Sequence, residues 1–136
     1  MDPNSILARF PPQITVRASD GPRFYARDPG LDAQIGMRDP RRPVAVYREE
    51  GKGAPVVPTA RVFVLCREAQ TVAECREEIE GAGFEIERVP KSAPHGAWLI
   101  ARSGEAIDAI VALELLAQIE QLEVVQPELV GEVEKR

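Results

Sequence analysis

From Ala60 onward the apolar positions switch between two periods. "ARVFVLC" (Ala60–Cys66) is a continuous run of β-branched, aromatic and aliphatic residues, which predicts a buried strand. Val72, Cys75, Ile79 and Ala82 then recur at helical spacing and predict one buried stripe. Thr71, with Glu74 three residues on, forms a capping-box pattern at the start of this helix, and Ala82-Gly83 closes it. Glu74, Glu77, Glu78 and Glu80 fall on the solvated side. "FEIERV" (84–89) alternates apolar and charged residues, as expected of a strand with one wet face. "PKSAPHG" reads as a turn and "AWLIAR" (97–102) as the partner strand. A second helix is expected over 105–118, with Ser103 as cap. Its inner face is only loosely marked, by Ile107, Ile110, Val111, Leu113 or Glu114, and Ala117. "LEVVQP" (122–127) closes the series as a fourth strand.

The first 60 residues are harder to parse, because nine of the twelve prolines lie there. "QITVRASDGPRFYAR" alternates around Ile14 and Val16 and reaches Asp20-Gly21, a hairpin-turn pair. Pro22 follows at once, so the expectations are a tight or a longer turn and a returning edge strand. Residues 28–43 read as a loop or one short helical turn, "PVAVYRE" as a strand, and "EGKGAP" as a turn into the strand containing Ala60.

The element order strand, helix, strand, strand, helix, strand predicts an α+β fold of the ferredoxin-like, split βαβ type. That plan has an antiparallel four-stranded sheet with two helices on one face. A proline-rich β-hairpin extension precedes it. The expected organisation is a strand- and loop-rich leader at 1–60, the folded module at 61–127 and an extended tail at 128–136. Leu113 or Leu116, Ile79, Phe84 and Val124 are the expected core.

Charge sharpens that division. Residues 1–61 carry ten Lys/Arg against seven Asp/Glu, whereas residues 62–136 carry seven against fifteen. An acidic second half disfavours nucleic acid, whose phosphates need Lys and Arg. No apolar run approaches the ~20 residues of a membrane helix. The opening "MDPNSILARFPPQ" lacks a basic cluster followed by an apolar core, so no secretory signal is expected, and the expected compartment is the cytoplasm. Cys66 and Cys75 have neither zinc nor redox-motif spacing and read as two buried thiols.

The residues offer little catalytic chemistry. His95, the single histidine, lies in the turn "SAPHGAW", and no serine sits in a nucleophile-like Gly-rich turn. There is no phosphate loop, HExxH or Cys/His cluster. Trp98, on a strand, reads as packed core. No catalytic residue, cofactor or metal is expected.

The stretch "EEIEGAGFEIERVPKSAPHGAWLIARSGEAIDAIVALELLAQIEQLEVVQPELV", with "VPTARVFVLCREAQTVAEC" before it, resembles the amino-terminal pro-region of bacterial subtilisin-type serine proteases over about residues 59–130. The resemblance rests on the pattern of a helix ending in Gly, two strands around a loop, an Ala/Leu-rich helix, and an apolar strand ending in Gln-Pro. It implies a ferredoxin-like module that serves as intramolecular chaperone and inhibitor. Its sheet would pack on the catalytic domain, and its last residues would lie in the substrate cleft. On that reading Pro127 ends the strand and nine residues run free, spanning up to ~30 Å. Arg136 would precede the scissile bond, with Lys135, Glu134 and Val133 in the next subsites inward. The catalytic Asp, His and Ser of such enzymes are absent from this stretch, so the chain would be the non-catalytic part of an endopeptidase or a free-standing inhibitor. Two other readings stay open: a stand-alone interaction adaptor, and a regulatory module that binds a small molecule.

Overall fold

The computed structural model describes residues 8–18, 21–29, 45–50, 53–67, 70–91 and 95–131. These residues form β1 (Gln13–Ala18), β2 (Gly21–Arg27), β3 (Tyr47–Glu49) and β4 (Val56–Cys66). A 3-10 turn (Val72–Cys75) leads into α1 (Arg76–Gly81), then β5 (Phe84–Arg88) and β6 (Gly96–Ala101). Two short helices, α2 (Ala106–Val111) and α3 (Leu113–Ala117), precede β7 (Leu122–Gly131).

All seven strands belong to one sheet, in the order β3-β2-β1-β7-β4-β6-β5, with every described pairing antiparallel. β3 also pairs back to β4, Tyr47 opposite Val56, which closes β1, β2, β3, β4 and β7 into a five-stranded barrel. This corrects the ferredoxin-like expectation. The sheet does not stop at four strands, and the amino-terminal strands are not a separate hairpin extension. The compositional change near residue 60 falls inside β4.

The reason lies in the first strands themselves. Ile14, Val16 and Ala18 line one side of β1 and are buried, as are Ala45, Val46 and Tyr47. A two- or three-stranded ribbon cannot cover such a face alone. Curling onto the main sheet buries it in the same core as Val62, Val64, Leu99, Ile110 and Leu113. Closure also removes the open edge of β7. Arg17 clamps the join, because its guanidinium donates to the Leu122 carbonyl at 2.8 Å and to the Ala117 carbonyl at the end of α3. A cation suits that helix end.

A bulge in β4 lets one strand serve both the barrel and the open sheet. Opposite β7 the register jumps from Pro58–Leu129 to Val62–Pro127. Thr59 fills the gap: its Oγ1 donates to Glu128 Oε1 at 2.8 Å and accepts the Arg61 N–H at 3.0 Å. Pro127, expected to end the last strand, instead pairs with Val62 beside this bulge, the kind of position where strands tolerate proline. β7 therefore continues four residues beyond it, to Gly131, and Val56–Pro58 pair with Leu129–Gly131.

Two further expectations change. Ala18 lies opposite Gly21, so Gly21 already belongs to β2, and Asp20 lies outside the described residues. Gly21 takes φ +121°, a backbone that side chains disfavour. β2 is no edge strand, since it pairs with β1 and β3; Pro22 lies before the β3 pairing begins at Tyr25 and disrupts nothing there. The second helix is broken at Ala112 into α2 and α3. That break explains its loose periodicity. Ile107, Ile110, Leu113 and Leu116 are buried, while Val111 is about half exposed.

Candidate protein-docking face

Strand geometry gives the sheet two unlike faces. Successive side chains alternate, and cross-strand partners share a face. Val62 and Val64 on β4 stand beside Leu99 and Ala97 on β6, and all four are fully buried. α1 packs against β5, α2 against β4 and β6, and α3 against β7. Their buried residues Ile79, Ile107, Ile110 and Leu116 join the same core.

The other face carries Phe63, Leu65, Trp98 and Ile100, all only partly buried. Phe63 lies opposite Trp98 with ring centroids 5.4 Å apart and planes tilted by 59°. This is a favourable edge-to-face geometry. Val124 on β7, opposite Leu65, is buried, as the sequence predicts. Gly96 belongs to this face too: a Cβ there would meet Phe63 Cζ at 3.2 Å, so a side chain at 96 would push that ring by a few tenths of an ångström.

Charged residues rim this aromatic centre. Arg61 grips Glu87 in a two-pronged pair, Nε to Oε1 at 2.7 Å and Nη2 to Oε2 at 3.1 Å. Glu128 Oε1 lies 4.0 Å from Arg61 Nη1. Hydrogen bonding to Arg61, above all, holds the Glu87 carboxyl below the usual carboxylate range, and the same bond raises the Arg61 guanidinium further. Arg61, Glu87, Arg88, Trp98 and Glu128 surround an open depression of about 470 Å³. Arg61 on β4 thus faces Glu87 on β5 and Glu128 on β7, and the partly buried centre is apolar.

Trp98, expected in the core, is instead the centre of the uncovered face. Phe63 and Leu65 were missed because "ARVFVLC" reads as buried on both sides. A usable signal was present in the neighbouring strands. Glu85 lies opposite Ile100 and Gln126 opposite Phe63, and those polar partners mark the shared face as wet.

His95 has a structural part. Its Nδ1 lies 2.6 Å from the Gln70 carbonyl, and its own carbonyl accepts the Cys66 N–H at 2.7 Å, tying two loops together. Among the described residues no group of three or more His, Cys, Asp or Glu is placed to hold a metal ion. None of their helices is long and apolar enough to cross a membrane. Val133, Glu134, Lys135 and Arg136 lie outside the described residues.

A second concavity, about 500 Å³, opens between β1 and the α2–α3 pair. Ile14, Ile110, Val111, Leu113 and Val125 make its apolar wall, and Arg9 and Arg17 stand among its polar residues. No sequence pattern announced it, since it forms only where the barrel meets the helices.

No protein-family model, curated protein or solved structure matches the chain.

Proposed function

We propose that this chain is a non-catalytic partner of a subtilisin-type serine protease, docking on the catalytic domain as chaperone and inhibitor. The observation that carries the reading is the sheet face free of the described helices, with Phe63 and Trp98 at its centre and the Arg61–Glu87 pair on its rim. Uncovered aromatic surface with a polar surround has the composition of a protein interface. The sequence resemblance supplies the class of partner. β7 adds direction, because it leaves the sheet extended at Gly131, five residues before Arg136. An extended peptide in a protease groove gains affinity from backbone hydrogen bonds and specificity from alternate side chains. Val133, Glu134, Lys135 and Arg136 are the residues assigned to that groove.

The test is an inhibition assay against a panel of subtilisin-type catalytic domains. Three forms are compared: the full chain, a chain ending at Glu132, and Trp98→Ala. The reading expects truncation to relieve inhibition more than it weakens binding, and Trp98→Ala to weaken binding itself. Equal inhibition by the first two forms removes the tail from the mechanism. Failure of all three to bind any member of the panel removes the protease.

The cleft between β1 and the α2–α3 pair favours a second reading, a module that binds a small molecule. Its volume and apolar wall fall within the range of ligand sites. Saturable binding of an apolar fluorescent probe, abolished by Leu113→Glu but kept by Trp98→Ala, would support it over the first.

A further inference from the structure

Val111 is the apolar residue that the helix break at Ala112 leaves without a place in the core. Ile110 and Leu113 on either side of the break are buried, whereas Val111 is 53% exposed. With Leu113 it lines the cleft of about 500 Å³ between β1 and the α2–α3 pair. The facing wall is polar. Gln13, Thr15 and Arg17 alternate along β1, so they share one side of the strand, and all three line the cleft. One wall thus offers apolar surface and the other offers hydrogen bonds.

Arg17 sets the sign of the polar wall. It is half-buried, and its hydrogen bonds go to main-chain carbonyls, that of Leu122 at 2.8 Å and that of Ala117. A carbonyl orients a guanidinium without neutralising it, and among the described residues no carboxylate forms an ion pair with Arg17. The other charges of the cleft are already met by a partner or by water. Arg9 lies 3.6 Å from Asp108, with both side chains largely exposed. Glu114 is the one acidic residue among the described lining residues, and it too is exposed. Solvent screens exposed charges, whereas a charge drawn partly out of water calls for an opposite one. The cleft therefore has an apolar wall and one uncompensated cation.

We propose that this cleft binds a small carboxylate with an apolar body, the carboxylate on Arg17 and the body against Val111 and Leu113. The proposal rests on the second reading above, that the cleft is a ligand site, and adds the class of the ligand. A guanidinium presents its N–H groups in a fork that matches the two oxygens of a carboxylate. The two main-chain carbonyls use only part of that donor set. Thr15 offers a hydroxyl on the same side of β1. The apolar body gains by covering Val111, which the fold itself leaves wet. Such a ligand would touch β1 and the helices together, at the join that Arg17 clamps, and so would stabilise the closed barrel in proportion to its occupancy.

The experiment titrates the full chain with octanoate, octan-1-ol and acetate, followed by amide magnetic-resonance shifts and by melting temperature. Octanoate should bind saturably, move the resonances of Arg17, Val111 and Leu113, and raise the melting temperature as it binds. Octan-1-ol, which keeps the body and lacks the charge, should bind weaker by roughly tenfold or more, the fold-change carried by one charge-assisted hydrogen bond. Acetate, which lacks the body, should not saturate. Arg17→Gln should bring octanoate down to the level of octan-1-ol. Because Arg17 also clamps two strands and a helix end, Val111→Glu is run beside it. That variant changes an exposed side chain, should melt with the parent, and should abolish octanoate binding. Octan-1-ol binding as tightly as octanoate overturns the proposal while leaving the cleft a ligand site. No binding of any of the three, nor of the apolar fluorescent probe, overturns both. Octanoate that binds Val111→Glu unchanged, or that moves the resonances around Phe63 and Trp98 in place of those in the cleft, overturns the proposal as well.

Discussion

Val62 and Phe63 are neighbours in one strand, yet they live on two different surfaces. Val62 stands among Leu99, Ile110 and the other residues the helices seal from water. Phe63 stands beside Trp98 on a face that none of the described helices crosses. Both faces are apolar, so hydrophobicity alone does not separate them. What separates them is cover. The inner face has volume-filling neighbours on every side, whereas the outer one has a ring pair, a shielding rim and solvent. Substitutions on the inner face should therefore cost folding, and those on the outer face should cost association.

The largest expected effect is in the sealed face. Leu116 and Ile79 are fully buried. Truncating either to Ala should destabilise the chain by ~2–5 kcal/mol, through lost transfer energy and the cavity left behind. Denaturant midpoints shifted by no more than those of surface variants would erase the distinction between the faces.

A second effect comes from the same face at high pH. Burial, with a smaller contribution from Cys75, pushes the Cys66 thiol up to about 12. An unfolded thiol ionises near ~8.5. The folded chain thus favours the protonated form. The stabilisation is complete below the unfolded value and is lost as pH rises from there through about 12. Thermal melts of the reduced chain should fall across that window, and Cys66→Ala should flatten the fall.

Trp98→Ala tests the open face. Losing the ring contact with Phe63 should cost on the order of 0.5–1.5 kcal/mol beyond the lost area, clearly less than Leu116→Ala. Binding to a partner should suffer far more than stability. Because Trp98 is the single tryptophan, its fluorescence reports directly on whether the face becomes covered. An unchanged spectrum in a complex would place the partner elsewhere.

The smallest effect belongs to the rim. Arg61 and Glu87 are exposed to solvent, and such pairs contribute little to stability. Arg61→Met should leave the melting temperature within error. Because hydrogen bonding to Arg61 keeps the Glu87 carboxyl low, the carboxyl's pH midpoint, followed by nuclear magnetic resonance, should rise in that variant.

The sequence disclosed those features whose cause is local. Thr71 and Glu74 do meet at the start of the first helical segment, and Phe84 and Ile79 are buried where periodicity placed them. It concealed features whose cause is a distant partner. Pro127 reads as a strand terminus unless the bulge at Thr59 is known. Ile14 and Val16 show that β1 has an apolar side, but not that β7 would receive it. Trp98 follows the same logic: its face is set by Glu85 and Gln126, residues on strands that become neighbours only after folding.

The clamp of Arg17 on Leu122 also constrains the order of assembly. These residues are 105 positions apart. Loop-closure entropy makes contacts of that span late and slow, whereas the β5–β6 hairpin closes over a short stretch of chain. During synthesis β1 and β2 are complete long before β7 exists, so their apolar side must wait for a strand made about a hundred residues later. In that interval the early strands present the very edge the finished barrel hides. A chaperone that shelters nascent chains would meet this protein there, at an unclosed seam between its oldest and youngest strands.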